Sequence, residues 1–463
     1  MSAWTACRHP RSDDAEVTAL RLRGGSPRRP RKRRGGQAAS GTAAARAAPA
    51  RRTGLTRHRR VTVDRMNGDR DRRGWLPSCL AGAVFAVCMA GTTLPTPLYG
   101  LYQDAFGFSE LMVTVVYAVY AFGVIGVLLL AGNASDAVGR RPVLLWGLGC
   151  AALSAICFLC ATSLGWLYAG RLLSGLSAGL FTGAATAYVM ELAPGKGSSR
   201  ASLVATAANM GGLGCGPLLA GILAQYAPWP LYLPFAVHLA LLAGSAVVLL
   251  GLRETVRERR PLKTVRPQRP ALPPEVRAVF RPAALASFVG FALFGVFTSV
   301  SPTFLAESLD VGDHAVSGLV VALAFFASIA GQSAVGRFGV RRSLPLGCVC
   351  LLAGLALLAG ALWWELLWLV VLSAVVGGTG QGLAFRGALS AVAAASPADR
   401  RAAVISTLFV VAYVGISLPV IGVGVLSGPM GLEGAGLVFI ACMAALVTSA
   451  AVYLLRRPAS TDT

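Results

Sequence analysis

Lysine is nearly missing from this 463-residue chain: Lys32, Lys196 and Lys263 are the only three. Charge of any kind is scarce, at 13% against 55% hydrophobic residues, and the mean hydropathy is +0.64. A soluble globule carries about 25% charged residues, so this composition excludes one and points to a chain crossing a membrane many times. No Asp or Glu falls in the middle of any long apolar run. No phosphate-cradling glycine-rich loop and no nucleophile–base spacing occurs, so an ATP-driven pump or an intramembrane hydrolase has no basis in the sequence, and no enzyme activity is expected. Neither Cys157 and Cys160 nor Cys348 and Cys350 has a His or carboxylate near it in sequence, so no metal centre is expected. The ten cysteines lie mostly inside apolar runs, where each acts as a small hydrophobe and not as part of a disulfide framework. Arginine, alanine and glycine stand where lysine would, a hint of a GC-rich bacterial genome.

What is present is a series of twelve apolar segments: 76–99, 110–131, 142–161, 165–189, 200–226, 231–251, 283–305, 315–336, 343–362, 366–388, 400–427 and 434–455. Each suits a tilted helix across ~30 Å of hydrocarbon. The loops between them alternate in charge. Residues 99–110, 226–231, 305–315 and 427–434 hold no Arg or Lys, and three of these four carry acids. The opposite loops hold Arg140, Arg141, Lys196, Arg200, Arg337, Arg341, Arg342, Arg400 and Arg401, and Arg70–Arg73 and Arg456-Arg457 flank the body. By the positive-inside rule the arginine-rich side and both termini are cytoplasmic. Trp166, Trp229, Trp363 and Trp364 then fall at the outer interface.

Two stretches stand outside this pattern. Residues 1–65 carry 17 Arg/Lys against 4 Asp/Glu, with no apolar periodicity. They read as a disordered basic tail, with Met66 a far more ordinary start for the segments that follow; anionic lipid or nucleic acid is the competing electrostatic reading of Arg28–Arg34. Residues 252–282 carry nine Arg/Lys and several prolines and read as a cytoplasmic linker. The expected organisation is a tail at 1–74, a six-helix bundle at 75–251, the linker at 252–282, a second six-helix bundle at 283–455 and a short tail at 456–463. The halves look like a repeat: a shift of 200 residues places Gly139 on Gly339 and Arg141 on Arg341, while Asp136 lands on Gly336.

The loop Gly132-Asn133-Ala134-Ser135-Asp136-Ala137-Val138-Gly139-Arg140-Arg141-Pro142-Val143-Leu144 resembles the signature loop of the major facilitator superfamily. Gly132, Asp136, Gly139, Arg140, Arg141 and Leu144 match, while Ala134 and Ala137 replace a leucine and an arginine. Arg171-Leu172-Leu173-Ser174-Gly175 resembles the family's fourth-helix pattern. Gly212, Gly216, Pro217 and Gly221 resemble the fifth-helix motif of its drug antiporters, with Ala220 in place of one glycine and Leu203 in place of another upstream. The resemblance implies an all-α membrane protein of twelve transmembrane helices in two pseudo-symmetric six-helix bundles, rocking around a midplane cavity.

A buried guanidinium is costly in hydrocarbon, so Arg171 must face protein or a wet cavity; the resemblance gives it a role in proton coupling or substrate binding. Gly212, Gly216 and Ala220 follow one another at i, i+4, i+8 and make a smooth face for close helix approach. Asp136, Gly139, Arg140, Arg141 and Glu191 read as a cytoplasmic gate, and Asp136 is placed to meet the N-terminus of the helix beginning near Arg400. Cavity candidates are Thr92, Thr93, Tyr117, Tyr120, Asn209, His238, Thr298, Ser299, Gln332, Gln381 and Tyr413, most of which serve equally as interhelical hydrogen bonders. The expectation is a monomeric, proton-coupled exporter of small hydrophobic compounds in a bacterial inner membrane. It needs no cofactor besides the proton gradient, and its partners are substrate, protons and the bilayer, with no nucleic acid. The alternatives are an uptake symporter or uniporter for sugars or organic acids, and a non-transporting membrane sensor.

Overall fold

A computed structural model describes residues 55–194, 199–261, 267 and 269–456, with side chains from Gly74 onward. Lys196, Lys263, Arg266, Arg457 and the expected tail up to residue 54 lie outside the described residues. Helix α1 runs Leu55–Thr93, so it begins well before residue 75, where the sequence places the first bundle. No proline interrupts the chain between 55 and 76, and arginine is a good helix former, so the ladder extends back from the apolar segment.

The long helices that follow are α3 (Glu110–Ala131), α5 (Arg140–Leu159), α6 (Leu164–Leu192), α7 (Ser199–Tyr226) and α8 (Leu233–Gly251) in the first half. In the second half they are α9 (Arg277–Ser299), α11 (His314–Phe338), α12 (Val340–Trp364), α13 (Leu367–Ala395) and α14 (Arg401–Arg456). Short helices α2 (Tyr99–Phe106), α4 (Ala134–Val138) and α10 (Ser301–Glu307) sit in the connections. Among the described residues eleven helices are long and apolar enough to cross a membrane. The last of them, α14, is 56 residues long, or ~84 Å at 1.5 Å per residue, far more than one crossing needs. It breaks at Gly431, whose φ of 72° and ψ of 170° are not helical. The break lies in the loop expected at 427–434, so α14 makes two crossings and the total is twelve.

The halves are repeats in geometry as well as in sequence. Gly139 and Gly339 both take positive φ, at 116° and 77°, immediately before α5 and α12. Glycine is favoured there because side chains resist that region. In the first half Ser154 Oγ of α5 donates to Gly170 O of α6 at 2.8 Å. In the second, Ser373 Oγ of α13 donates to Gly354 O of α12 at the same 2.8 Å. The hydroxyl has moved to the other helix of the pair while the bond has stayed.

Close approach depends on small residues. A Cβ on Gly212 or Gly216 of α7 would run into the backbone carbonyls of Ala86 and Ala90 on α1. Gly221, one turn on, faces His314 at the start of α11, and Gly318 of α11 meets the carbonyl of Pro217. The glycine stripe therefore packs α7 on its own half and then, at the acidic end, on the other half.

Candidate functional site

A cavity of about 590 Å³ lies between the halves. Its described walls come from α1, α3, α6 and α7 on one side and from α9, α11, α13 and α14 on the other. It begins around Thr92, Tyr117, Arg171 and Tyr413 and continues to the arginine-rich ends of the helices at Gly132, Met190, Ser202 and Ala402. The acidic end is closed. There α7 packs on α11 and α3 on the first arm of α14, Gln225 Oε1 accepts from His314 N at 3.0 Å, Gly424 sits against Thr114, and the hydroxyls of Thr298 and Tyr117 bond at 2.6 Å.

Arg171 lies at the closed end of the cavity and is 1% exposed. Its Nη1 donates to Thr92 O at 2.6 Å, and the guanidinium stands over the rings of Tyr117 and Tyr120, at 5.1 and 5.2 Å. Both distances lie within cation–π reach. Nε has no hydrogen-bond partner, and no carboxylate pairs with the group among the described residues. Ring contacts continue away from it: Tyr120 with Tyr413 at 6.3 Å, Tyr413 with Phe291 at 5.9 Å, Phe291 with Phe385 at 5.1 Å and Phe385 with Phe409 at 5.6 Å. One turn from Phe385 on α13, Gln381 Oε1 accepts from Ser328 Oγ at 2.6 Å, and Ser328 Oγ accepts from Gln332 Nε2 at 3.2 Å.

Of the expected cavity residues, Thr92, Thr93, Tyr117, Tyr120, Asn209, Gln332, Gln381 and Tyr413 line it. Thr298, Ser299 and His238 do not. Thr298 and Ser299 lie in the closed seam, where their hydroxyls donate back to Phe294 and Gly295 carbonyls. His238 is 2% exposed inside the first half, beside Gly91, in a small void shared with Cys88, Ser174 and Ser177. The missing Cβ of Gly91 makes room for the imidazole there, on the side of α1 away from the cavity.

The sequence reading passed over Arg386. It falls two residues from the end of the segment expected at 366–388, as an interfacial charge would. The alanine-rich helix in fact continues to Ala395, and Arg386 lines the cavity. Its Nη2 donates to Ser202 Oγ at 2.6 Å and its Nη1 to Thr206 Oγ1 at 3.3 Å, across the two halves.

The signature loop forms a network at the arginine-rich end. Arg140 pairs with Asp136 at 2.7 Å and with Glu191 at 3.0 Å, and donates to Ser135 Oγ at 2.6 Å. Thr255 Oγ1 donates to Glu191 at 2.5 Å. Asp136 is exposed, and among the described residues it makes no ion pair or hydrogen bond with α14. Arg141 leaves the network and donates to Leu250 O at 2.6 Å. Glu254, at the start of the linker, was not foreseen: its carboxylate accepts from the backbone N–H of Arg140 and Arg141, each at 3.0 Å, and of Thr255 and Val256. Burial alone would raise that carboxyl, but the four N–H donors hold it below the usual carboxylate range.

The sequence model of the Major Facilitator Superfamily matches residues 80–419. The chain belongs to this superfamily. Among its members it is 32% identical over 200 residues to the puromycin resistance protein pur8 of Streptomyces alboniger, a match covering 43% of this chain and 39% of that one. It is 27% identical over 281 residues to the class H tetracycline resistance protein of Pasteurella multocida, covering 58% and 68%. The multidrug resistance protein MdtL of Escherichia coli is 26% identical over 257 residues, covering 53% and 63%. In fold, it is similar to an inward-facing, unoccupied bacterial homologue of the human lysosomal transporter Spinster, with a TM-score of 0.62 at 16% identity over 84% of this chain and 99% of that one. A POT family transporter in complex with 5-aminolevulinic acid gives a TM-score of 0.66 at 14% identity, covering 83% and 96%. The chain is a multi-pass membrane protein of this superfamily.

Proposed function

We propose that the chain is a proton-coupled exporter of small, rather hydrophobic compounds, working by alternating access as a monomer in a bacterial inner membrane. The arginine-rich end is cytoplasmic, so the cavity described here is loaded from the cytoplasm. The observation that carries the reading is the cavity itself. It is aromatic and apolar, lies between two repeated halves, is open toward the arginine-rich end and is closed at the other. Relatives named for resistance to puromycin, tetracycline and multiple drugs support export over uptake.

In the cycle, substrate enters from the arginine-rich end and settles against the aromatic wall. The halves then rock so that the seam at the acidic end opens. The network around Asp136 and Arg140 makes its contacts across the halves only when the arginine-rich end is closed, which fits the exposed Asp136 of the present conformation. Arg171, at the closed end of the cavity, links substrate or proton occupancy to the rocking motion. A susceptibility and accumulation screen in a strain lacking its own efflux pumps tests the reading: expression should lower the accumulation of at least one compound class. Raised accumulation of every transported compound would instead identify an uptake carrier.

A further inference from the structure

We propose that the substrate is an organic anion, an aromatic body carrying a carboxylate or similar acid group, held between Arg386 and Arg171. The proposal rests on the reading of this cavity as the transport site. Two guanidinium groups line it, and no Asp or Glu appears among its described lining residues. Arg171 is almost fully buried, with an unpartnered Nε and, among the described residues, no counter-ion. Arg386 is held by two neutral hydroxyls, Ser202 and Thr206, which accept two of its hydrogen bonds and leave its charge uncompensated. A cavity walled by helices in a bilayer screens charge poorly, so two uncompensated cations favour an anion there and disfavour a cation. A guanidinium also meets a carboxylate through two parallel N–H donors.

The ring contacts supply the second half of the specificity. They run from Tyr120, beside Arg171, to Phe385, the chain neighbour of Arg386. A flat apolar body lying along this wall presents its acid group to one arginine or the other. Arg386 lies nearer the arginine-rich opening and can trade its two hydroxyl contacts for an incoming carboxylate, which makes it the first acceptor.

The test uses three probes with one ring system: 9-anthracenecarboxylate, 9-anthracenemethanol and 9-(aminomethyl)anthracene. Binding is measured by fluorescence on the full chain in nanodiscs, and transport in inverted vesicles under an imposed pH gradient. The carboxylate should bind roughly tenfold or more tightly than the amine, the step that one charge-assisted contact commonly supplies. Arg386→Gln should remove that preference while changing the alcohol's affinity far less than the carboxylate's, and Arg386→Lys, which keeps the charge, should retain most of it. Equal or tighter binding of the amine overturns the proposal, as does an Arg386→Gln protein that is monodisperse and binds all three probes like the parent. If the gradient moves the amine or alcohol but not the carboxylate, the exporter reading stands and the anion proposal fails. Charge-selective binding with no gradient-driven movement of any probe leaves the anion site and sinks the exporter reading.

Discussion

Arg171 is the most demanding residue in the molecule. A guanidinium buried among helices, bonded to one carbonyl and two aromatic faces, is a costly feature for a residue serving packing alone, since desolvation of an unpaired charge amounts to several kcal/mol. Glutamine keeps a donor and loses the charge; lysine keeps the charge and loses the planar fork. Arg171→Gln should lower gradient-driven export by about tenfold or more, the factor that ~1.4 kcal/mol represents, with Arg171→Lys retaining part of it. Near-normal export by well-folded Arg171→Gln, normalised to protein in the membrane, would remove Arg171 from the mechanism. Gly216 makes a structural demand of the opposite kind. Gly216→Leu would push a side chain into the Ala90 carbonyl and the Thr93 hydroxyl, and should destabilise the chain by about 1–3 kcal/mol through overpacking, visible as a lower Tm in detergent. Arg171 was legible in the sequence because a lone cation deep in an apolar run has few bland explanations. Arg386 was not, because its depth depends on where α13 ends. Residues 388–395, five alanines with Leu389, Ser390 and Val392, carry the helix on past the expected end of the segment and so place Arg386 well inside it. For His238 the sequence signals only burial: a histidine in an apolar run serves helix packing or a cavity, and the packing against Gly91 places it among the helices of the first half.

At the scale of elements, the signature loop and the linker act as one unit. The sequence presents residues 252–282 as a run of positive charge, and nothing in it singles out Glu254. Its role depends on the first turn of α5 presenting unpaired N–H groups, as every helix N-terminus does. Glu254→Ala should cost about 1–2 kcal/mol of stability, the value of a lost helix cap, read as a fall in Tm at neutral pH. Because the native carboxyl is held low, this contribution is fully present above the ordinary carboxylate range and fades as pH falls through the depressed value; the difference between parent and variant should therefore shrink in acid. A Tm difference independent of pH would mean that packing rather than charge is lost. The acidic seam has the opposite sign. Burial and then the neighbouring Glu110 carboxylate hold Glu307 above its ordinary range. Glu110 opens α3 and Glu307 closes α10, so the pair straddles the two halves. Separation would return Glu307 toward its usual value, so closing the seam favours its protonated form; closure gains support in acid and loses it as pH rises through the raised value. Spin-label distances between engineered cysteines at Asp104 and Asp310 should shorten on acidification, and Glu307→Gln should flatten the response. An identical pH response in the variant would place the sensor elsewhere.

At the scale of the whole molecule, segment count, the two halves and their duplication were readable from hydropathy and from the spacing of Gly139 and Gly339, because a bilayer forces length and backbone satisfaction on each crossing. The open and closed ends of the cavity were not readable. In the proposed alternating-access cycle they depend on which of two conformations the halves occupy, a choice that hydropathy and charge do not carry. The proposed orientation rests on the arginine asymmetry, and single cysteines near Asp313 and Pro270 should label from opposite sides of the membrane; equal labelling from outside would abolish the assignment. The most direct measurement of the mechanism is accumulation, in inverted vesicles with an acid lumen, of a compound identified in the susceptibility screen. Export coupled to protons predicts accumulation inside the vesicles that a protonophore collapses and that Arg171→Gln lacks at equal protein. Accumulation indifferent to the gradient, or movement of the compound out of the vesicles as protons leave, would contradict it.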